Sequence, residues 1–378
     1  MRSNDARERT DDAATTPLVR SDATIVRRYI VVITVLFLIL VLPLSVALIW
    51  VAHPFHALAT PAQLAAIQAR NPDAVILPVD LRYNAAFKLA RVAEQQPEIM
   101  CFGSSRAGGF RAEMFRPARF YNLSFTAWTT DQLLDVFDRA TRESRPRVAI
   151  LELDYFLFTE RWERWFATTR TMIHDRPFRY AMASLGTFLR NAAANRVPFE
   201  AYRSAPTNFI GPESVRAEEG FRSDGSYVYS AGHIDSAHQH YRSADFFASS
   251  VPAGAAMSAR LQTPIAQLAE IARERGIRLI AVQLPLIRAG VDLLDHDESY
   301  HSQAGTWRDF ESEKTRAWLA RLGIPLFDLA HSPIDDDPDN FVDAIHLSEG
   351  GMHKAMRELW ADPGFRAAFA GIDLSPQN

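Results

Sequence analysis

The sequence predicts an α/β domain that follows one N-terminal transmembrane helix. Residues 29–51 contain no Asp, Glu, Lys or Arg, and about 20 apolar residues are enough to cross the hydrocarbon core of a bilayer. After residue 97, short apolar runs alternate with longer amphipathic segments. This alternation is typical of parallel strands joined by helices that cover both faces of the sheet.

Composition limits the classes of function. The 378 residues are 48% hydrophobic and 23% charged, which indicates a globular protein. The net charge is −4 and the basic residues are spread along the chain, so the sequence predicts no nucleic-acid surface. Cys101 is the only cysteine, which excludes an intramolecular disulfide and a cysteine metal cluster.

The N-terminal region is predicted to contain a polar, disordered tail over residues 1–28 and a membrane span over residues 29–51. Arginines precede the span, and the first Lys or Arg after it is Arg70. The positive-inside rule therefore places the tail in the cytoplasm and the rest of the chain outside it, in the periplasm if the membrane is a bacterial inner membrane.

A cleaved signal peptide is the alternative to an uncleaved anchor. Ala57-Leu58-Ala59 resembles a signal-peptidase site, and Arg27-Arg28 resembles a twin-arginine signal. The apolar region of a secretory signal has 7–15 residues, and the run here is far longer. An uncleaved anchor is therefore favoured, and both interpretations place the remaining chain outside the cytoplasm.

The rest of the chain is predicted to begin with a helical connector over residues 52–96, which includes an irregular helical stripe over 80–94. The predicted strands are Ile99–Phe102, Phe120–Leu123, Val148–Leu153, Ile277–Leu284 and Pro325–Phe327. The predicted helices are Asp131–Arg142, Ala259–Arg275, Trp307–Leu322 and Gly350–Trp360. Gly276 and Gly323 are stop signals for the second and third of these helices.

Residues 155–258 interrupt the alternation and are interpreted as an insertion. This segment begins with a cluster of aromatic residues, continues through a predicted helix near Arg179–Asn195, and contains Asp224-Gly225, a hairpin signal. Two roles stay open for the insertion: a cover for the core, or a lid that carries specificity over a site.

The strand at Ile99–Phe102 ends in Gly103 and two serines. Ligands of open α/β sheets bind at the carboxyl ends of strands, which makes this turn a candidate site. The turn lacks the Gly-Lys-Ser/Thr ending of a phosphate loop. It approaches the Gly-x-Ser-x-Gly elbow of α/β-hydrolases, but that fold usually separates its acid and histidine widely.

A candidate base lies near the C-terminus. Asp343 and His346 are three residues apart, so on a helical turn their side chains can meet. A carboxylate beside a histidine fixes its tautomer, and the other ring nitrogen can then deprotonate a serine such as Ser105. Taken singly, these residues also suit a helix cap and a surface histidine. Asp235 and His238 share the spacing without a preceding strand, which indicates coincidence.

Three segments together resemble the SGNH (GDSL-like) hydrolases. Gly103-Ser104-Ser105-Arg106 looks like the first block of the family, Phe120-Tyr121-Asn122-Leu123-Ser124 like the second, and Asp343-Ala344-Ile345-His346 like the last. They occur in the family's order over about residues 97–362. The Gly-Ser-Ser-Arg variant behind a membrane helix is most similar to envelope proteins that act beside membrane acyltransferases in D-alanylation or acetylation of surface polymers.

The resemblance implies a flavodoxin-like, three-layer α/β/α fold with a five-stranded parallel sheet over residues 97–378. It implies Ser105 as nucleophile, His346 as general base and acid, and Asp343 as its orienting acid, with no cofactor or metal. The Ser105 and Ser124 amides would donate to the oxyanion. Asn122, Asp154 and Arg106 join the oxyanion and substrate-binding candidates.

The sequence departs from the family pattern at two places. Ser124 stands where the second block has Gly, and Leu151-Glu152-Leu153-Asp154 replaces Gly-x-Asn-Asp, so the Asn oxyanion donor is missing. Three roles stay open for Asp154: a protonated acid, a ligand for a substrate hydroxyl, or a cap.

The predicted function is cleavage or transfer of an O-acyl group on a cell-surface or secreted polysaccharide. The resemblance implies acetyl as the acyl group and a multi-span membrane O-acyltransferase as a partner. The alternative is a non-catalytic, membrane-tethered scaffold that binds polymer or that partner. His233, His238 and His240 are more simply explained as solvated loop residues than as metal ligands.

Overall fold

A computed structural model describes residues 18–53, 56–167, 169, 171–194, 208–251 and 253–374. The chain divides into two compact units, Met1–Pro54 and Phe55–Asn378. The candidate site lies entirely within the second unit.

The first unit is helical throughout its described part. Helices α1 (Leu18–Leu36) and α2 (Leu42–Ala52) are joined by one π-helical turn, Phe37–Val41. Pro43 lies just after this turn and has no N–H to donate, which is a common cause of such a break. Residues 23–41 form a helix long and apolar enough to span a membrane, with a mean hydropathy of 2.3.

The helix begins earlier than the sequence predicted. The predicted tail ends at residue 28, whereas α1 already starts at Leu18. Helical geometry can continue beyond the apolar run because charged residues such as arginine have good helix propensity. The remainder of the predicted tail, residues 1–17, lies outside the described residues.

The second unit combines short strands with many helices. Nine strands lie within the described residues: β1 Val75–Ile76, β2 Ile99–Phe102, β3 Phe120–Leu123, β4 Val148–Glu152, β5 Phe209–Ile210, β6 Gly220–Phe221, β7 Tyr227–Val228, β8 Arg278–Gln283 and β9 Leu326–Asp328. The described helices continue with α3 Pro61–Arg70, α4 Asn84–Gln95, α5 Thr130–Glu143, α6 Glu160–Phe166, α7 Pro177–Ala193, α8 Pro212–Ala217, α9 Ala231–His240, α10 Ala244–Ser250, α11 Ala259–Glu274, α12 Arg288–His296, α13 Gly305–Glu311, α14 Glu313–Arg321, α15 Glu349–Ala361 and α16 Pro363–Ala368.

The main sheet has five parallel strands in the order β3-β2-β4-β8-β9. Every residue of β2, β3 and β4 is buried, which explains why these strands read as continuous apolar runs rather than as alternating ones. The predicted α/β class, parallel sheet and all five predicted strands are confirmed, within one or two residues at each end.

Helix boundaries follow the predicted stop signals. Gly276 and Gly323 adopt φ values of +68° and +77°, a left-handed conformation that favours glycine after a helix. The single helix predicted over Trp307–Leu322 is instead two helices, α13 and α14. Ser312 breaks it, because this residue is extended and its side chain caps α14 by accepting from the Thr315 amide.

A second, four-stranded sheet was not predicted. Its order is β5-β1-β6-β7, and each strand has only two residues, too few for a periodicity. The hairpin predicted at Asp224-Gly225 is confirmed as β6 and β7, with Gly225 at φ +80°. This sheet joins the predicted connector to the insertion, because β1 belongs to the first and β5, β6 and β7 to the second.

Candidate active site

The nucleophile candidate begins a short helical turn at the carboxyl end of β2. Ser105–Gly109 form a 3-10 turn, and the Ser104 side chain caps it by accepting from the Arg106 amide. The Ser104 amide donates to Glu152 Oε2 at 2.7 Å. A Cβ at Gly103 would lie 2.5 Å from the same oxygen, so only glycine permits this close approach of the two strand ends.

Asp343 and His346 lie on a tight turn rather than on a helix. An isolated bridge pairs Phe341 with Leu347, and the Val342 amide donates to the His346 carbonyl at 2.8 Å. Asp343 Oδ1 accepts from the amides of Ile345 and His346 at 2.9 and 2.8 Å. The two side chains meet as predicted, but on an Asx turn and not on a helical turn. An Asx turn also brings together residues that are three positions apart.

The structure brings Ser105, His346 and Asp343 into one hydrogen-bonded series. His346 Nε2 lies 2.7 Å from Ser105 Oγ, and His346 Nδ1 lies 2.7 Å from Asp343 Oδ2. A carboxylate can only accept, so Nδ1 carries the ring proton and Nε2 is free to accept the serine proton. This is the arrangement that serine nucleophiles require. Asp235 and His238 have the same spacing, yet His238 Nε2 lies beside the Phe341 carbonyl at 3.2 Å.

Asp343 is largely buried, and burial alone would raise its pKa. The His346 ring and the amides of Ile345 and His346 outweigh burial and lower the pKa of Asp343 from 3.8 to about 2. Asp343 is therefore ionised at neutral pH, as a residue that stabilises an imidazolium must be.

The lowered pKa of Asp343 predicts a pH-dependent stability. Because its pKa is lower in the folded state, Asp343 stabilises the fold above about pH 4, and this stabilisation of about 2 kcal/mol is lost as the pH falls through 2. The free energy of unfolding, compared between the native chain and Asp343→Asn, should therefore differ most near neutral pH and converge toward pH 2. A difference that stays constant over this range would contradict the assignment.

Arg106 and Asp154 form a buried ion pair. Arg106 Nε donates to the Ile345 carbonyl at 2.9 Å, and Nη2 donates to the carbonyls of Leu284 and Pro285 at 2.7 and 2.6 Å. One side chain thus links the serine turn, the end of β8 and the turn that carries His346. Arg106 was predicted to bind substrate. Its guanidinium instead contacts acceptors within the protein and bridges these three segments.

Asp154 is 1% exposed and therefore presents no surface to a substrate. Burial raises the pKa of Asp154 well above its ordinary value; the ion pair with Arg106 opposes this rise, and the nearby Glu152 carboxyl adds to it. Its side chain caps no amide of the 3-10 turn that follows. Of the three roles left open for Asp154, the geometry agrees with neither substrate binding nor capping.

The second block does not form the predicted oxyanion donor. The Ser124 amide donates to Asn122 Oδ1 at 2.7 Å, and Ser124 is fully buried. The Asn122 side chain donates in turn to the carbonyls of Ala107 and Phe110 at 2.7 and 2.9 Å. Asn122 therefore fastens the second block to the serine turn. Both residues lie at the predicted strand end, but the sequence does not show that the Ser124 amide already donates to the Asn122 side chain.

Lys88 is a site residue that the sequence analysis missed. It lies on α4, is fully buried, and its Nζ donates to the carbonyls of Asn122, Ser124 and Gly225 at 3.1, 2.7 and 2.8 Å. The ammonium also lies 4.0 Å from the centroid of the Phe221 ring. Burial holds the pKa of Lys88 well below its ordinary value. Lys88 thus joins the second block to the hairpin of the insertion.

The turn after β3 is also held by aromatic packing. Phe125 has φ +59°, a left-handed conformation that costs a non-glycine residue about 1 kcal/mol. Its ring stacks on Tyr227 with centroids 4.6 Å apart, and its amide donates to the Ser104 carbonyl at 3.3 Å. Strained residues that the surrounding structure holds in place cluster at functional sites.

The insertion reaches the candidate site. A cavity of about 350 Å³ contains Ser105 and His346, and the insertion contributes Arg222, Tyr227, Tyr229 and Ile234 to its lining. The Tyr229 ring centroid lies 5.9 Å from that of His346. Other parts of the insertion, such as Phe247, belong to the main core. One part of the insertion therefore covers the core, and another part lines the cavity beside Ser105 and His346.

The remaining candidates do not assemble a second centre. His233 Nδ1 lies 2.7 Å from Glu219 Oε1, and this hydrogen bond raises the pKa of His233. Within the part of the chain that the structure describes, no group of three or more His, Cys, Asp and Glu is placed to hold a metal ion. Cys101 is buried in β2.

Comparison with known proteins adds no identification. No protein-family model matches the chain, and no curated protein is significantly similar to it.

Proposed function

We propose that the protein is a serine-dependent O-acyl esterase or acyltransferase that acts on an acylated, in particular acetylated, cell-surface or secreted polysaccharide. The observation that carries this proposal is the uninterrupted series from Ser105 Oγ to His346 to Asp343, with 2.7 Å at each step, at the carboxyl end of a central strand. A histidine with only a packing role does not require a serine at one ring nitrogen and an ionised carboxylate at the other, whereas a general base does.

The first half of the proposed reaction transfers the acyl group to Ser105. His346 Nε2 takes the hydroxyl proton while Oγ bonds to the ester carbonyl carbon, whose π electrons move to its oxygen. The tetrahedral intermediate then collapses: the bond to the sugar oxygen breaks, and the imidazolium returns its proton to that oxygen. Asp343 stabilises the imidazolium throughout.

The second half frees the enzyme by the same proton path. A water or a sugar hydroxyl attacks the acyl-Ser105 carbonyl, His346 takes the proton of the attacking group, and Ser105 leaves as the alcohol. Water gives hydrolysis and a sugar hydroxyl gives transfer. Both outcomes use the same three residues, so the proposal covers both.

The oxyanion is proposed to rely on the Ser105 amide. As the first residue of a 3-10 turn, Ser105 has no acceptor for its amide within that turn. A preorganised donor of this kind contributes about 2.7–4 kcal/mol in well-studied enzymes. The Ser124 amide, which the family resemblance implied as a second donor, is engaged by Asn122.

The strand order of the main sheet supports the SGNH-type fold that the resemblance implies. Numbered in chain order, the five strands of the main sheet lie in the order 2-1-3-4-5, which is the flavodoxin-like order. This order supports a three-layer SGNH-type domain. The apolar helix over residues 23–41 supports a single-pass anchor in the inner membrane with this domain in the periplasm, where a multi-span membrane O-acyltransferase could supply acyl groups.

The test is ester hydrolysis by the full chain in detergent. The protein should release p-nitrophenol from p-nitrophenyl acetate, and Ser105→Ala should lower kcat/KM by about 10³-fold or more, because it removes the hydroxyl that forms the acyl-enzyme in the proposed reaction. Ser104→Ala is the matched control: it removes a neighbouring hydroxyl that caps the turn, at about 1 kcal/mol of stability, and should keep most of the rate.

Two observations favour a second function. The Ser124 amide is occupied and the family's Asn donor is absent, which suits a non-catalytic scaffold that binds polymer or a partner acyltransferase. Equal hydrolysis rates for the native chain and Ser105→Ala would favour this scaffold and reject the enzyme.

A further inference from the structure

Two arginines from different parts of the chain converge on one carboxylate beside the candidate nucleophile. Arg111 Nη1 lies 3.3 Å from Glu349 Oε2, and Arg222 Nη2 forms an ion pair with Glu349 Oε1. Each arginine thus takes one oxygen of the same carboxylate. Two guanidinium groups thus hold the two oxygens of one carboxylate, each through one charge-assisted contact.

The two arginines are held in place independently of Glu349. Arg222 belongs to the hairpin loop of the insertion, and its Nη1 donates to the Tyr227 carbonyl at 3.0 Å. Arg111 follows the serine turn and also pairs with Glu113 at 3.2 Å. Their side chains are 24% and 22% exposed. The pair is therefore preorganised yet open to solvent on one side.

The arginine pair stands where two cavities meet. The cavity that contains Ser105 and His346 is lined by both arginines and by Glu349. A second cavity, of about 510 Å³, is lined by the same two arginines, by Arg116 and by three acidic residues, Asp73, Glu113 and Asp224. The two cavities therefore share the arginine pair in their linings.

Glu349 is the most exposed of these three side chains. Its side chain is 57% exposed and lies on the first residue of α15. An exposed ion pair contributes little to stability, so exchanging this carboxylate for another costs little. The Glu349 carboxylate contacts Arg111 and Arg222 at the position that the carboxylate of a ligand would take.

We propose that Arg111 and Arg222 bind the carboxylate of an acidic sugar unit, a uronate, next to the acylated unit of the polymer, and that Glu349 holds the pair in its absence. This inference rests on the proposed function, since it takes Ser105 as the reacting group. It narrows the polymer to an anionic, uronate-bearing class. The apolar part of the first cavity, which includes Ile234, Val342 and Leu347, is left for the acyl group.

Binding to the full chain with Ser105→Ala tests the inference without turnover. The probes are tetragalacturonate and the neutral cellotetraose, measured by calorimetry at low salt. Tetragalacturonate should bind at least tenfold more tightly than cellotetraose. Arg111→Gln and Arg222→Gln should each weaken its binding about five- to tenfold. Arg119→Gln, an exposed arginine that lines neither cavity, is the matched control and should have no effect.

A gain of affinity guards against misfolding as an explanation. Glu349→Gln removes the competing carboxylate and should tighten tetragalacturonate binding several-fold while leaving cellotetraose binding unchanged. Inorganic phosphate added as a competitor shows whether any small anion suffices: displacement only at far higher concentration than the uronate supports the proposal. Equal binding of the two saccharides, or a Glu349→Gln variant that binds tetragalacturonate no better, would overturn it.

The binding result and the proposed function fail separately. A chain that hydrolyses p-nitrophenyl acetate but does not prefer the uronate loses only this inference. A chain that prefers the uronate but shows no Ser105-dependent hydrolysis loses the enzymatic function, and its uronate site would then belong to a binding protein.

Discussion

His346→Gln is expected to lower kcat/KM for p-nitrophenyl acetate by about 10³- to 10⁴-fold. The reason is that His346 Nε2 is the proton acceptor 2.7 Å from Ser105 Oγ, and a general base beside a serine supplies an effect of this size. Glutamine keeps a polar side chain near the same position but cannot take the proton. The loss should appear mainly in kcat, because the group acts on the reacting atoms rather than on ground-state binding.

His240→Gln is the control for this prediction. His240 is an exposed histidine at the end of α9, and its replacement should leave the rate unchanged. The result that contradicts the assignment is a His346→Gln variant whose rate falls less than tenfold while its circular dichroism spectrum and melting temperature match those of the native chain.

Lys88→Met is expected to destabilise the fold by about 3 kcal/mol and to reduce activity as well. The substitution keeps an apolar stem but removes the donor of three hydrogen bonds, and the carbonyls of Asn122, Ser124 and Gly225 are left without it. The relief of a buried charge offsets part of this cost, since burial already lowers the pKa of Lys88. Chemical denaturation of the native chain and of Lys88→Met measures the difference in the free energy of unfolding.

A positioning role for Lys88 predicts more than lost stability. The Asn122–Ser124 turn is fastened to the serine turn, so its displacement should lower kcat for the ester even at a temperature where the variant remains folded. Lys314→Met, at an exposed lysine, should change neither quantity. A Lys88→Met chain with native kcat would show that Lys88 is purely structural, and a chain with native stability would contradict the three hydrogen bonds.

The sequence predicted the part of the fold that periodicity encodes. Strands β2, β3, β4 and β8 of the main sheet are largely buried and mostly apolar, and the helices α5, α11 and α15 carry clear apolar faces, so their positions were recovered closely. Two-residue strands carry no period, so the second sheet was not predicted. The connector was therefore interpreted as helical, although it supplies β1 to that sheet and places the buried side chains of α4 beside β3.

The candidate site was predicted where motif and position coincide. Ser105, Asp343 and His346 each follow a strand or precede the last long helix, and the structure brings them within hydrogen-bonding distance. Arg106, Asn122 and Ser124 were placed correctly in space but given roles toward a substrate. Their actual partners are buried carbonyls, an amide and a carboxylate, and a sequence does not show which donors are already satisfied inside the protein.

Lys88 shows why buried polar contacts escape prediction. A lysine in an amphipathic helix is typical of a solvated face, because a buried ammonium is costly unless its donors are all satisfied. Here the three acceptors come from residues 34, 36 and 137 positions away in the chain. Only the fold brings those carbonyls together, so no local sequence pattern predicts their contact with Lys88.

Covalent labelling of Ser105 tests the central claim most directly. The full chain in detergent is treated with a serine-directed alkyl phosphonate, and its intact mass and peptides are measured with and without the His346→Gln substitution. One adduct per chain is expected, located on Ser105, absent from Ser105→Ala and formed far more slowly with His346→Gln. An unmodified chain, or an adduct on Ser104 or elsewhere at the same rate in all variants, would contradict it.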